Sequence, residues 1–440
     1  MSARNRELLA LVPASLLVAA GFAAIFIQEN ARLDDVSLTC GAVFLGVCVA
    51  THLVVRFRLP YADPYLLPLA AVLACFGLVV IYRLDPEKAI RQAGWFAFGL
   101  VLFTLTIVFL KDFRVLERYR YTIAAAGLAL LLLPRVPGIG QQVNGAYLGV
   151  GIGPFAFQPA EFGKLAIVIF LAAYLRDNRQ LLVQGARRFA GVTIPPIKHF
   201  GPLLVVFLAA MFLLFFIQDL GSSIMYFGGF LAILYVATNR FSFVLGGLLM
   251  FAVGAWAMYH LRSHIQDRVE IWLDPFKPQL VEHSGYQIAQ SLFAQADGGL
   301  FGQGLGESLL QIGDKGPVLV PAAHTDLVYA IVVNDLGLFG GVGLLCAYLV
   351  FVARGFKTAM VAHDGFVKLL ACGLSAVFAL QVFVIVGGVT KVIPLTGVTL
   401  PFVSAGGSSV LANFVLLALL LIASNAARRN PLEQGGGLAP

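Results

Sequence analysis

Acidic and basic side chains interrupt otherwise apolar runs of this chain at a few places, and their spacing limits the chemistry open to them. The stretch LVPAAHTDLVYAIVVNDLG (319–337) puts His324 and Asp326 at the start of an apolar run and Asp335 within it. Pro321 breaks any preceding helix and Thr325 is the expected N-cap, so Asp326 is expected in the first turn of a membrane span. The helix dipole alone favours an aspartate there. Brought with a histidine to the rim of a membrane cavity, the same carboxylate could accept a proton from a substrate hydroxyl. Asp335 falls about 180° around that helix and roughly 13 Å deeper. The two aspartates are therefore not the close pair of a retaining glycosidase, and a packing role is expected for Asp335.

Three further places carry costly groups, since an isolated charge within hydrocarbon costs about 2.5–3.5 kcal/mol on insertion scales. In QPAEFGK, Glu161 and Lys164 stand i,i+3 on one helical face and can neutralise each other, as a bracing ion pair or a substrate contact. In IQDLGSS, Asp219 is a turn cap or a site contact. In GGVTKVIPLTGVTLPFVSAGGSS (387–409), prolines, glycines and hydroxyls interrupt the apolar run around Lys391. Such irregular backbone is tolerated at membrane depth only when buried or lining a cavity. Lys391 is either a counter-charge for a phosphate or a side chain snorkelling to the outer surface. His260 and His264 stand i,i+4 without a third ligand, so zinc is not expected. The glycines of GQGLGES follow no strand and lack a GK[ST] ending, which fails both nucleotide-loop patterns.

The elements that must position these residues are helices in a membrane. Of 440 residues 59% are hydrophobic and only 12% charged, with a mean hydropathy of +0.88, far from the roughly 25% charged of soluble domains. The sequence predicts an all-α polytopic membrane protein of about twelve transmembrane helices, near 8–28, 36–55, 65–82, 94–110, 120–134, 158–175, 201–217, 221–238, 243–260, 326–353, 368–390 and 406–424. With a cytoplasmic N-terminus, most of the 30 Lys and Arg fall in cytoplasmic segments, so the positive-inside rule puts both termini in the cytoplasm and accounts for the net charge of +7 without nucleic acid. The opening segment imitates a cleavable signal peptide, but the span count and charge pattern both use it as a retained first span. The five cysteines lie in apolar runs without metal or disulfide spacing and are read as packing residues. Residues 261–325 form an outer loop too long to be a connector. Within it Ile288, Leu292 and Phe293 recur at helical spacing, predicting short amphipathic helices at the outer membrane surface. The tail 426–440 is expected to be disordered.

Taken in order, NGA (144–146), FQPAEFGK (157–164), QDLG (218–221), DP (274–275), GYQIAQS (285–291), GGLFGQGLG (298–306), HTD (324–326) and PLTGVTLPFVSAGGSS (394–409) resemble the SEDS proteins of the RodA/FtsW type, from about residue 65 to 425. The resemblance implies a ten-helix SEDS core over 61–425 that includes the loop 261–325, preceded in 1–60 by two extra helices.

It also implies a peptidoglycan glycosyltransferase in the bacterial cytoplasmic membrane. Such an enzyme polymerises lipid II on the outer face and works with a class B penicillin-binding protein, a transpeptidase. By the same resemblance Asp326 corresponds to the family's essential aspartate, as base or substrate-orienting carboxylate. Lys391, Arg83 or a divalent cation (Mg or Mn) would meet the diphosphate, while Glu161, Lys164, Asp219, His324 and Ser404 would bind substrate.

Two departures stand out: Tyr147-Leu148 replaces an Arg-Trp, and Asn334-Asp335 replaces a Glu pair. A lipid II flippase and a non-catalytic scaffold of the division or elongation complex are the competing functions. The flippase would be favoured by an inverted repeat of broken helices, which the sequence lacks. The phrase GGVTKVIPLTGVTLPF and the extra N-terminal helices incline the reading to the RodA side.

Overall fold

The computed structural model describes residues 2–30, 35–110, 112–143, 146–152, 155–184, 187–189, 192–194, 220–281, 284–307 and 320–429. Long apolar runs become helices because, within a membrane, a helix satisfies its own backbone polar groups. In order they are α1 (Ala3–Asn30), α2 (Asp35–Arg58), α3 (Leu66–Leu84), α4 (Pro86–Phe109), the short α5 (Arg114–Arg118), α6 (Arg120–Leu132), α7 (Ala160–Gln184), α8 (Leu220–Thr238) and α9 (Phe241–Leu261). The loop helices α10 (Ser263–Leu273), α11 (Pro278–Val281) and α12 (Tyr286–Gly298) follow, then α13 (Val328–Val361), α14 (Gly365–Val389) and α15 (Gly407–Arg428). Among the described residues eight helices are long and apolar enough to cross a membrane. Every expected span falls on a helix except 201–217, which lies outside the described residues.

Polar residues set the helix ends. Asp85 accepts from the Lys88 amide at 3.0 Å with Pro86 at the first position of α4, and Asp364 accepts from the Phe366 amide at 2.8 Å to start α14. The innermost helices are α14 and α15, buried over 78% and 83% of their apolar windows, while α9 is buried over none and is peripheral. On the Arg428 side, Asp63 is fully buried and accepts from Arg354 Nε at 2.9 Å and Arg428 Nη2 at 2.8 Å. That clamp fastens the chain before α3 to the ends of α13 and α15. The N-terminal helix packs on α3, with Gly21 against Val79 and the Cys75 thiol donating to the Ala14 carbonyl.

Small β elements depart from the all-helical expectation. An antiparallel meander of β1 (Gly140–Val143), β2 (Ala146–Ile152) and β3 (Phe155–Phe157) precedes α7, and a hairpin of β4 (Arg187–Phe189) and β5 (Val192–Ile194) follows it. The NGA motif lies largely outside the described residues, as do QD of QDLG and the tail beyond Arg429.

The described part of the loop after α9 is built into the bundle rather than laid over it. Helix α12 buries Ile288, Ala289, Ser291, Ala294 and Gly298, whereas Phe293, expected on its apolar face, is 47% exposed and meets Phe276. Small residues win that face because α12 approaches the backbone of α13: a Cβ on Gly298 would fall 2.1 Å from the Val333 carbonyl oxygen. Helix α13 breaks at Gly337 (φ 69°, ψ −173°), and the 299–304 loop supplies the missing partners. Gln303 and Gly304 amides donate to the Asn334 and Asp335 carbonyls at 2.9 and 3.0 Å, and the Leu338 amide donates to Gly299 at 2.9 Å. Gly298 and Gly302 of GGLFGQGLG thus serve close backbone approach.

Gly302 sits at φ +85° with the Asp335 carbonyl oxygen 2.2 Å from the position of a Cβ. Gly302→Ala is expected to cost about 2 kcal/mol or more, through left-handed strain and overpacking. Gly94→Ala, in helical space open on all sides, should gain about 0.5–1 kcal/mol. Thermal unfolding of the detergent-solubilised variants measures both, and equal melting temperatures would refute the docking of this loop.

Candidate active site

Between α14 and α15 the chain runs unhelical from 390 to 406, with Lys391 (φ 62°), Gly397 (φ 72°) and Phe402 (φ 64°) in the left-handed region. Each carbonyl released there needs a donor, and the donors come from all around the bundle. From the outer loop, Gln295 donates to Val389, Trp272 to Lys391 and Arg268 to Leu395, each at 3.1 Å. Within the bundle Gln381 holds Thr399 at 2.9 Å, Tyr348 holds Pro401 at 2.6 Å and Gln92 holds Ser404 at 3.1 Å. The Ala405 amide in turn donates to the His324 carbonyl at 2.8 Å, which ties this segment to the HTD turn.

Asp326 stands in that turn, two residues before α13 begins. Thr325 was expected to cap the helix; Leu327 holds that position, without side-chain capping. The reason is a tight turn at Ala322 (φ 55°), whose carbonyl receives the Thr325 and Leu327 amides. The Thr325 hydroxyl instead stands 2.7 Å from Asp326 Oδ1 and 3.1 Å from the Ala322 carbonyl. Oδ2 faces Gly397, where a Cβ would lie 4.0 Å away. Beside it opens a cavity of about 310 Å³ whose wall carries Asp326, Lys391, Asp267, Arg268, Trp272 and Gln287. The structure therefore brings Asp326 and Lys391 to one cavity. Sequence reasoning missed Arg268, Asp267 and Gln287, which come from the loop helices, and Gln381, whose only signal was an amide within an apolar run.

The other expected residues lie elsewhere. Glu161 and Lys164 are buried as an ion pair at 2.5 Å, and Lys164 Nζ also donates to Gln381 Oε1 at 2.7 Å. Since Gln381 holds Thr399, the pair acts on the unhelical segment from behind and lines no part of the Asp326 cavity. Ser404 is buried and accepts from the Leu400 amide at 2.9 Å, closing the turn at 400–404. Arg83 is buried against Asp335 as an ion pair and is likewise absent from the cavity wall. Asp219 lies outside the described residues.

His324 is half-buried, with Lys88, Asp85, Arg91 and Asp326 around it. Burial holds its imidazole below the ordinary value of 6.5, and Lys88 pushes the same way against Asp85 and Asp326. Among the described residues no three His, Cys, Asp or Glu side chains gather as a metal site.

The known proteins that this chain resembles agree on one family. The family described as cell cycle proteins, of the FtsW, RodA and SpoVE type, matches residues 65–429. "Peptidoglycan glycosyltransferase RodA" of Mycobacterium tuberculosis is 40% identical over 437 residues, covering 97% of this chain and 91% of its own, so the match has to include most of α1 and α2. A "probable peptidoglycan glycosyltransferase FtsW" of Geobacter metallireducens is 30% identical, covering 84% and 96%. Among solved structures, a chain of a peptidoglycan synthase complex that coordinates polymerization and crosslinking superposes with a TM-score of 0.67 at 27% identity, over 84% of this chain and 99% of that one. The rod shape determining protein RodA of Thermus thermophilus gives 0.60 at 26% identity, over 84% and 98%.

Two predictions follow from the geometry. Gln381→Leu leaves the Thr399 carbonyl unpaired and removes a partner of buried Lys164, so it should cost about 1–3 kcal/mol; thermal unfolding tests this. Because the folded His324 value is depressed, its contribution to stability is fully present above about pH 6.5 and is lost as pH falls through the folded value. His324→Asn should flatten the fall in melting temperature between neutral and acidic pH, and an unchanged pH profile would refute the assignment.

Proposed function

The chain belongs to the FtsW/RodA/SpoVE family of cell cycle proteins, and from that premise we propose that it is a peptidoglycan glycosyltransferase that polymerises lipid II at the Asp326 cavity. The membrane is the bacterial cytoplasmic one, with both termini cytoplasmic and the cavity on the outer side. The RodA side of the family fits better, because the RodA relative is more alike than the FtsW one. By the likeness to a synthase that couples polymerization with crosslinking, its partner is a class B penicillin-binding protein.

The observation that carries this reading is one cavity with two carboxylates, Asp326 and Asp267, and two cations, Lys391 and Arg268, on its wall. Glycosyl transfer joins an acceptor hydroxyl to the donor's anomeric carbon while the bond to the diphosphate breaks. The hydroxyl proton passes to Asp326 Oδ2, the oxygen turned away from Thr325, and the electron pair leaves with the diphosphate. Lys391 and Arg268 meet that developing charge, and Arg268, held by the Leu395 carbonyl, needs little reorganisation. A divalent cation there would supply charge neutralisation, taking most of its oxygens from diphosphate and water. Glu161, Lys164 and Ser404 work as positioning residues behind the segment.

Asp326→Asn keeps the shape and the Thr325 contact but loses the basic carboxylate. Purified with its transpeptidase partner and given labelled lipid II, it should polymerise about 10²–10⁴-fold more slowly, with its melting temperature kept. Undiminished glycan strands would sink the assignment, and lipid translocation without polymer would replace it with a flippase.

A further inference from the structure

The helices α1 and α2, which lie wholly outside the matched region 65–429, do more than border the core. With α3, α4 and Phe414 of α15 they wall a second cavity of about 520 Å³. It runs along α2 from Thr39 to Thr51, about 18 Å, and along α3 from Leu67 to Leu78, about 16 Å. Its wall carries no charge: aliphatic and aromatic side chains such as Val43, Phe44 and Phe96 dominate, and small Ala70, Ala71, Ala74, Ala93 and Ala97 leave the space open. Water does not fill so apolar a cavity. The surrounding medium of membrane-spanning helices is hydrocarbon.

The end at Thr51 and Leu67 is chemically marked. Arg56 and Arg58 follow Thr51 on α2 within about 11 Å along the axis and are exposed, as is Arg6 on α1. The acids at the same end are already engaged and buried: Glu7 with Arg4 and with His52, Asp63 with Arg354 and Arg428. What remains outward at this mouth is positive, which suits a phosphate head group. This end of α3 is also opposite to the one bearing Asp85, where His324 and the HTD turn sit. A substrate with its diphosphate at Lys391 therefore has its head group at the other membrane face.

We propose that this cavity binds one acyl chain of an anionic phospholipid of the leaflet opposite the active site, with its phosphate against Arg56 and Arg58. The N-terminal helix pair is then a lipid-binding accessory to the core. The ring of Phe414 touches the occupant on one side and Phe402 of the unhelical segment on the other, at 5.3 Å between centroids.

The test uses the full chain in vesicles of phosphatidylethanolamine and phosphatidylglycerol with a trace of phosphatidylglycerol carrying a diazirine on its acyl chain. Photolysis should label peptides containing Val43–Thr51 or Ala70–Leu78. Filling the cavity with Ala71→Phe and Ala97→Phe should lower that labelling about tenfold, with α9 labelling as the internal reference. Ala74→Leu, a smaller filling, has to lower it in the same direction if the double variant does not fold. Arg56→Glu with Arg58→Glu should abolish the preference over a phosphatidylethanolamine probe. Labelling unchanged by filling, equal labelling by both head groups in the unaltered protein, or displacement by undecaprenyl phosphate but not by phosphatidylglycerol would each overturn the proposal. Glycan polymerisation measured on the same vesicles reports separately on the Asp326 site.

Discussion

Residues 390–406 cross the interior of a helical bundle without forming a helix, and the arrangement of everything near Asp326 follows from satisfying that backbone. Six carbonyls of Val389, Lys391, Leu395, Thr399, Pro401 and Ser404 each accept a side-chain hydrogen bond. Each bond contributes only about 0.5–1.5 kcal/mol net, but a buried carbonyl left unpaired costs about 1–3 kcal/mol. The donors sit on α4, α10, α12, α13 and α14, so these elements have to take fixed places around the segment. Positioning of the site is therefore a by-product of hydrogen-bond completeness. Gly397 lies at the point where the segment meets Asp326, and a left-handed φ there leaves the carboxylate facing open space.

The same physics acts a second time at Gly337. A break in α13 exposes carbonyls of Asn334 and Asp335, and the glycine loop 299–304 fills them with its amides. Only glycines allow that approach, since a Cβ at 302 or 337 would strike backbone at 2.2 or 2.3 Å. The break turns Asp335 toward Arg83, and the outer loop is thereby anchored to the helix that starts just after Asp326. The two irregular places share α12: Gln295 holds the end of α14, while the Ala294 carbonyl accepts from Asn334 at 2.7 Å.

Sequence reasoning reached Asp326 and Lys391 because both interrupt apolar runs beside helix-breaking residues, and a charge in such a place is costly enough to stand out. It reached the spans for the same reason of cost. Arg268 did not stand out, since SHIQDRVEIWL holds several charges and periodicity alone does not say which faces a cavity. Gln381 and Gln92 escaped notice because a neutral amide carries no charge to account for, although two such amides support the segment. The face of α12 was misjudged because hydrophobicity pointed to Phe293, whereas close approach selected Ala294 and Gly298. Thr325 followed the capping rule in composition but lost to the turn at Ala322, which leaves it two positions before the N-cap, Leu327.

The surroundings of the carboxylates bear on the proposed role of Asp326. The four buried acids among the described residues, Glu7, Asp63, Glu161 and Asp335, are each within ion-pair distance of at least one cation. A carboxylate so paired is a poor base, because the cation that stabilises its charge has to be abandoned when the proton arrives. Asp326 is half-buried, and among the described residues its hydrogen-bond partner is a neutral hydroxyl while Lys391 lines the same cavity of about 310 Å³. In the proposed reaction a diphosphate in that cavity draws on Lys391 and leaves Oδ2 to the acceptor hydroxyl. Among the described residues the buried acids are all paired and hold the bundle, whereas the half-buried Asp326 is the carboxylate that the proposed reaction uses.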